Sequence, residues 1–218
     1  MGWVGAAVSD RERAVWYSAF GSNLLRDRFI VYLTGGVIPH STTGRIQEGA
    51  RDNSLPTGDR PITIDRTLVF AGSSGQWGDG GTAAVDPDLD RSTPTLGRAY
   101  RITCRQFEDV FRQENRESSA VPLDLDALTR DGYVDLSNGK YGRAVVVGSV
   151  GDELAVTITT RERPTSLRAA HTSYLSVMAK GLMESWGLSE KAAAEYLATR
   201  AGNAGTVDPN EIIRVLGS

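Results

Sequence analysis

The stretch Val15–Phe29, VWYSAFGSNLLRDRF, constrains this chain more than any other. It opens as an alternating, β-favouring run, breaks at Gly21, and resumes with apolar residues at helical spacing. A strand that ends in a small polar loop and restarts as a helix leaves several backbone N–H groups pointing outward together. Such a nest at a helix N-terminus suits a carboxylate or another anion. Gly21 admits a backbone conformation that a Cβ would oppose, and Ser22 and Asn23 are strong N-cap types. On spacing alone, a plain structural turn fits the same residues.

The octet Tyr17-Ser18-Ala19-Phe20-Gly21-Ser22-Asn23-Leu24 resembles the Y-F-A-Y-G-S-N-L signature of the γ-glutamylcyclotransferase-like family, and it lies near the N-terminus, at the end of a first strand. Phe20 stands where that signature has Tyr, so one hydroxyl is missing beside the loop. A second segment, Trp77-Gly78-Asp79-Gly80-Gly81-Thr82-Ala83, resembles the family's W-x-G-G-x-A segment, whose glycines let strands close round a cavity. The resemblance covers roughly residues 13–150.

The rest of the chain bounds the answer. Its 218 residues can bury a sizeable core, and 23% charged with 40% apolar residues is ordinary for a globular protein. A net charge of -3 argues against a general nucleic-acid binder, which needs clustered Lys and Arg. The single cysteine, Cys104, rules out an internal disulfide and a multi-cysteine zinc site. Asp86, Asp88 and Asp90 match the first, third and fifth places of a calcium loop, but Arg91 and Gly97 break the pattern, so no metal is expected. Met1–Val8 has no basic stretch and is short for a secretion leader, and no run approaches a membrane span. The expectation is a cytoplasmic protein with no membrane partner.

Taken in order, residues 13–20 predict a strand, and Asn23 to about Thr34 a helix stopped by Gly35-Gly36. Residues 37–60 read as a long polar loop in which His40 is a bystander. Pro61–Phe70 reads as one strand or two, followed by a glycine-rich approach to another near 82–85 and a strand at 96–102. Trp77 is either a cover on a core edge or an aromatic wall against a ligand. Thr103 is placed to cap a helix from Cys104 to about Arg116, with Phe107, Val110, Phe111 and Glu114 on or near one face. A carboxylate that continues an apolar stripe needs a partner or a job. Leu123, Leu125 and Leu128 suggest a short helical patch, and residues 141–148 and 153–159 a β-hairpin. Helices follow from Ser166 to Trp186, after Ser189, and from Asp208-Pro209. His171, with no metal-spaced partner, reads as structural.

These elements predict an α+β fold, a small mixed β-barrel with flanking helices. The expected division is a domain over 13–160 and a C-terminal helical extension over 165–218. The extension packs on the barrel, covers the cavity or mediates a homodimer.

The resemblance implies a chemistry with few demands: the α-amino group of a γ-glutamyl amide or amine attacks its own γ-carbonyl, the amine leaves and 5-oxoproline forms. It implies no cofactor. Phe20, Gly21, Ser22, Asn23 and Leu24 would hold the substrate, with Trp77 and Tyr141 at the mouth. The family also has an acid at the end of a helix, in a D-x-x-E-G segment, and Phe111–Asn115 matches it with Glu114, the expected catalytic carboxylate. Two other readings stay open. Because Thr93–Gly97 carries no acid and Phe20 lacks a hydroxyl, the chain could be a binding protein for a carboxylate-bearing small molecule. It could also be an interaction protein that works through its C-terminal helices.

Overall fold

The computed structural model describes residues 12–40, 44–74 and 77–217; the readings of residues 1–11 lie outside them. Strand β1 (Ala14–Ala19) runs into a 3-10 turn over Ser22–Leu24 and then helix α1 (Arg26–Thr34). There follow β2 (Gly36–Val37), β3 (Ile46–Gln47), β4 (Gly58–Ile64), β5 (Leu68–Ser74), β6 (Gly80–Val85) and β7 (Thr95–Thr103). Next come α2 (Cys104–Asn115), α3 (Leu125–Asp131), β8 (Tyr133–Asp135), β9 (Arg143–Val150) and β10 (Glu153–Thr159). Three helices complete the chain: α4 (Thr172–Trp186), α5 (Glu190–Ala198) and α6 (Pro209–Leu216).

The fold is mixed α+β, around a six-stranded sheet in the order β4-β7-β1-β10-β9-β8. β1 pairs in parallel with β10, and the other neighbours are antiparallel. The expected barrel does not close: among the described residues β5 and β6 form a separate ribbon, and no ladder joins the two ends of the large sheet. The reason lies in where the ribbon's backbone groups go. Phe70 donates its N–H to the Ala201 carbonyl at 2.8 Å, and its own carbonyl accepts from Arg168 at 3.0 Å. Gly81 donates to Ala169 at 2.8 Å. The segments flanking α4 and α5 thus supply partners that a neighbouring strand would supply in a closed sheet. Where β6 approaches β10, the Thr159 hydroxyl donates to the Val85 carbonyl, a side-chain link in place of a ladder.

Several local expectations hold. β1, the β9–β10 hairpin, the α2 start and the α5 and α6 starts fall where the spacing puts them. Thr103 and Gln106 form a full capping box at the start of α2. Two expectations need correction. The 37–60 region is not all loop, since it holds the β2–β3 ribbon and the beginning of β4. The first long C-terminal helix begins at Thr172 rather than Ser166, because residues 166–169 are spent on the β5–β6 ribbon.

Two apolar clusters hold these parts together. In the first, Tyr17 stacks on Phe29, Phe29 on Tyr100, and Phe107 meets Tyr17 edge-on, which locks α1 and α2 against the large sheet. In the second, Phe20, Leu24, Phe70 and Trp77 pack with Tyr174, Leu175, Met178 and Leu182 of α4. Helix α4 lies directly on the Ser22–Leu24 turn because residue 181 is glycine. A Cβ there would stand 2.4 Å from the Leu24 carbonyl carbon. The two clusters meet at the loop after β1.

Candidate functional site

The loop after β1 differs in detail from the simple helix-cap reading. Leu24 donates its N–H to the Gly21 carbonyl at 3.0 Å and Leu25 to Ser22 at 3.2 Å, so the chain makes one tight turn before α1 begins. Neither Ser22 nor Asn23 caps with its side chain. Gly21 has φ −105°, so the need for glycine is space rather than handedness: a Cβ would lie 3.0 Å from the Tyr174 hydroxyl and 3.6 Å from the Ala83 side chain.

The Asn23 side chain does something else. Its amide Nδ2 donates to Glu114 Oε1 at 3.0 Å and to the Tyr17 hydroxyl at 3.3 Å. Because a carboxylate only accepts, Nδ2 must face Glu114 and the carbonyl Oδ1 must point the other way. That Oδ1 is buried and has no hydrogen-bond partner. Two residues 91 positions apart are therefore joined, and an unused acceptor is left beside them.

An inner cavity of about 70 Å³ lies there, lined among others by Tyr17, Gly21, Asn23, Glu114, Tyr141 and Tyr174. It shares Ser22, Glu114, Tyr141 and Tyr174 with an outer cleft of about 410 Å³, which Arg28, Trp77 and Lys140 also line. Of the residues expected at the site, Phe20 reaches the inner cavity from the second cluster, and Trp77 walls the outer cleft. Tyr141 lines both, donating to the Ala83 carbonyl at 3.1 Å. Leu24 lines neither and is fully buried in the core, although its carbonyl accepts from Arg98 and Tyr100. Asp86 and Asp90 serve structure: Asp86 pairs with Arg163, and Asp90 accepts from Thr67 and Ser92. None of the three acids of that connection lines either cavity.

Four tyrosines ring the carboxylate. Burial first, and then the Glu114 charge, push the pKa of Tyr17 and Tyr32 well above the usual phenol value. Burial also raises Tyr141. Tyr174 is pushed up to about 12 by burial, with the hydrogen bonds from the Ala83 and Ser22 backbones working the other way. All four remain hydroxyls near neutral pH, able to donate to a developing anion. The Tyr174 oxygen is the surprise of the site. It accepts the Ala83 N–H at 3.3 Å and bonds to the Ser22 backbone, so part of the expected anion nest already holds an oxygen from the same chain.

Tyr32, Tyr174, Arg28 and Lys140 were missed by sequence reasoning. Arg28 and Tyr32 lie on the helix already identified, and their spacing of four puts them on one face. Tyr174 carries no local signal, since only the packing of α4 brings it to the loop. Among the described residues, no group of three or more His, Cys, Asp and Glu side chains is placed to hold a metal ion. No described helix is long and apolar enough to cross a membrane.

Comparison with known proteins adds the following. No family model matches the chain. Histone deacetylase 5 of Arabidopsis thaliana is 30% identical over 200 residues, which covers 84% of this chain and 30% of that protein. The chain thus spans under a third of the curated relative it matches. Among solved structures it is similar to a gamma-glutamyl cyclotransferase, with 16% identity and a TM-score of 0.47, covering 94% of this chain and 99% of the other. It is also similar to an uncharacterized protein from Homo sapiens, with 17% identity and a TM-score of 0.47, over 95% and 100% of the two chains. YkqA from Bacillus subtilis is 14% identical with a TM-score of 0.46, over 87% of this chain and 56% of that one.

Proposed function

We propose that the chain is a γ-glutamyl cyclotransferase that releases 5-oxoproline from a γ-glutamyl amide or amine. The reading rests on one observation: the Asn23 amide bonds to Glu114 at 3.0 Å across the inner cavity, leaving Asn23 Oδ1 as an unused acceptor. An ammonium group is the natural occupant of a space bounded by a carboxylate and a bare amide oxygen. In this reading the substrate's α-ammonium enters there and Glu114 removes a proton from it. The free amine attacks the γ-carbonyl carbon, forming the ring C–N bond. The tyrosine hydroxyls around the cavity donate to the oxygen as charge develops on it. The old amide C–N bond then breaks as Glu114 returns the proton to the departing amine, and the attacking nitrogen gives up its second proton by way of Glu114 to the released amine, leaving a neutral lactam and an ammonium product. The loop holds the substrate's α-carboxylate, and Trp77 and Tyr141 shape the mouth. The segment over 165–218 supplies one wall through Tyr174, packed on the domain over 13–160.

The test is to incubate the full chain with a panel of γ-glutamyl amines and dipeptides and to measure 5-oxoproline. Product from at least one member is expected. No product from any member that demonstrably binds would end the enzymatic reading.

One observation favours a second reading, a binding protein without turnover. The Tyr174 hydroxyl already engages the Ser22 and Ala83 backbones, and the inner cavity is small. In that case Glu114→Gln leaves ligand affinity within a few-fold of the native value.

A further inference from the structure

Tyr141 stands in the wall of both cavities, yet the turn it belongs to does not hold it. It lies in the short connection between β8 and β9, whose own bonds pass it by. Leu136 and Ser137 donate to the Gly142 carbonyl at 2.7 and 3.2 Å, and Gly139 donates to the Ser137 hydroxyl at 2.9 Å. Both Tyr141 backbone groups turn instead to one side chain, 26 positions earlier. Asn115 Oδ1 accepts the Tyr141 N–H at 3.0 Å, and Asn115 Nδ2 donates to the Tyr141 carbonyl at 3.1 Å. An amide that accepts from and donates to the same residue stands in for a strand neighbour. The fit is close: a Cβ at Gly139 would stand 2.8 Å from Asn115 Oδ1. Asn115 ends α2, directly after Glu114, and Arg116 leaves the helix at φ 56°. The chain then travels through α3 and β8 before it returns at Tyr141. The D-x-x-E-G segment that Phe111–Asn115 resembles has glycine at this place, so a side-chain clamp here is a property of this chain.

We propose that Asn115 is the positioning residue for Tyr141. It fixes the tyrosine to the helix end that carries Glu114, so that hydroxyl and carboxylate keep one geometry across the inner cavity despite the excursion over residues 116–140. At its far end the Tyr141 hydroxyl lies 3.1 Å from the Ala83 carbonyl and 3.1 Å from the Thr82 hydroxyl. The ring is therefore held at both ends, and Asn115 sets one of them. A misplacement of about 1 Å in a group of this kind costs on the order of 10²-fold in rate. The inference rests on the cyclotransferase reading for the use of the hydroxyl, but the clamp itself is read without turnover.

The experiment is a double-mutant cycle of Asn115→Ala and Tyr141→Phe on the full chain. It is read by 5-oxoproline release from γ-glutamyl-alanine and by hydrogen exchange at the Tyr141 backbone amide. Tyr141→Phe is expected to lower kcat/KM by about tenfold or more, as for a lost hydroxyl donor. Asn115→Ala alone is expected to lower it by about 10- to 100-fold, chiefly in kcat, and by less than about threefold once the hydroxyl is gone. The Tyr141 amide is expected to exchange about tenfold faster in Asn115→Ala, the scale of one lost hydrogen bond. Equal losses from Asn115→Ala in both backgrounds overturn the proposal, because a merely structural asparagine acts without regard to the hydroxyl. So do unchanged exchange in Asn115→Ala and full activity in Tyr141→Phe. If Asn115→Ala does not fold, Asn115→Leu, which keeps the bulk without the hydrogen bonds, takes its place in the cycle. If the native chain releases no 5-oxoproline, the cyclotransferase reading falls and the cycle is read in calorimetric affinity for γ-glutamyl-alanine. Coupling there keeps the clamp, and additivity or absence of binding overturns it.

Discussion

Near the start of α2, Glu108 and Asp109 are buried against Arg51; at the end of the same helix, Glu114 is half-buried and takes its hydrogen bond from Asn23. The first group is complete. Arg51 donates to both carboxylates at 2.9 Å, its own N–H adds a further bond to Asp109, and Leu123 donates to Glu108. The second group is left open. Asn23 Oδ1 and Arg28 Nε, both buried, have no hydrogen-bond partner among the described residues; Asn23 lines the inner cavity and Arg28 the outer cleft. Both groups contain an arginine and a glutamate, so identity alone does not separate a structural charge from one proposed to work. Completeness of the hydrogen-bonding does. Satisfied buried charges hold a fold in place, and unsatisfied groups beside a cavity are where the proposed substrate would bind.

The comparison can be broken most easily at Glu114. Glu114→Gln should lower kcat/KM for 5-oxoproline release by about 10²- to 10⁴-fold, the range for a lost general base. Its thermal midpoint should stay close to native, because Glu114 forms no salt bridge among the described residues and an amide keeps an acceptor for the Asn23 N–H. A large fall in stability with retained activity would make Glu114 structural.

At the other end of α2 the order reverses. Arg51→Met strands two buried carboxylates and should cost about 3–5 kcal/mol in urea unfolding. Arg28→Gln removes a cation with no ion-pair partner and should cost clearly less. Equal costs would erase the distinction drawn between the two groups.

A smaller effect is expected at Gly21. Gly21→Ala pushes a methyl toward the Tyr174 hydroxyl, 3.0 Å away, and overpacking of that kind costs about 1–3 kcal/mol. Removing the hydroxyl in the double variant Gly21→Ala/Tyr174→Phe should recover part of the loss, a coupling that a double-mutant cycle measures. Simple additivity would show that α4 does not press on the loop.

Smallest of all is an exposed pair. Hydrogen bonds from Arg101 hold the Glu153 carboxyl below its ordinary pKa. A depressed acid stabilises the fold at pH values above its unfolded pKa, near 4.5, and loses that contribution as pH falls through the lower folded value. Both side chains are about a third exposed, so the effect should stay under about 1 kcal/mol and shrink with salt. Glu153→Gln should flatten the acid limb of the stability curve slightly. A shift of several kcal/mol would mean that this pair belongs with the closed network around Arg51.

Much was legible from local pattern. The alternation of Val15, Tyr17 and Ala19, the Thr103 cap and the β9–β10 hairpin depend on neighbours a few residues away, and they fall close to where the sequence puts them. Glu114 could be singled out because a carboxylate on an apolar stripe is anomalous wherever the helix packs. Barrel closure was misread, since strand propensity says that β5 and β6 are strands and not whose edge they meet. Arg28 was passed over because an arginine on an amphipathic helix is ordinary until its surroundings are known.

The sequence by itself determined most of the elements, a break in the chain at Gly21–Asn23 and the presence of one suggestive acid, because caps, periodicity and turn chemistry act over a single turn or a strand pair. Only the tertiary structure decided that Asn23 and Glu114 meet across 91 residues, that Tyr174 of α4 sits on the loop, and that Arg28 is buried with no salt bridge among the described residues. Those facts depend on which hydrogen bonds are left unmade once distant segments pack, and that is a property of the packed whole.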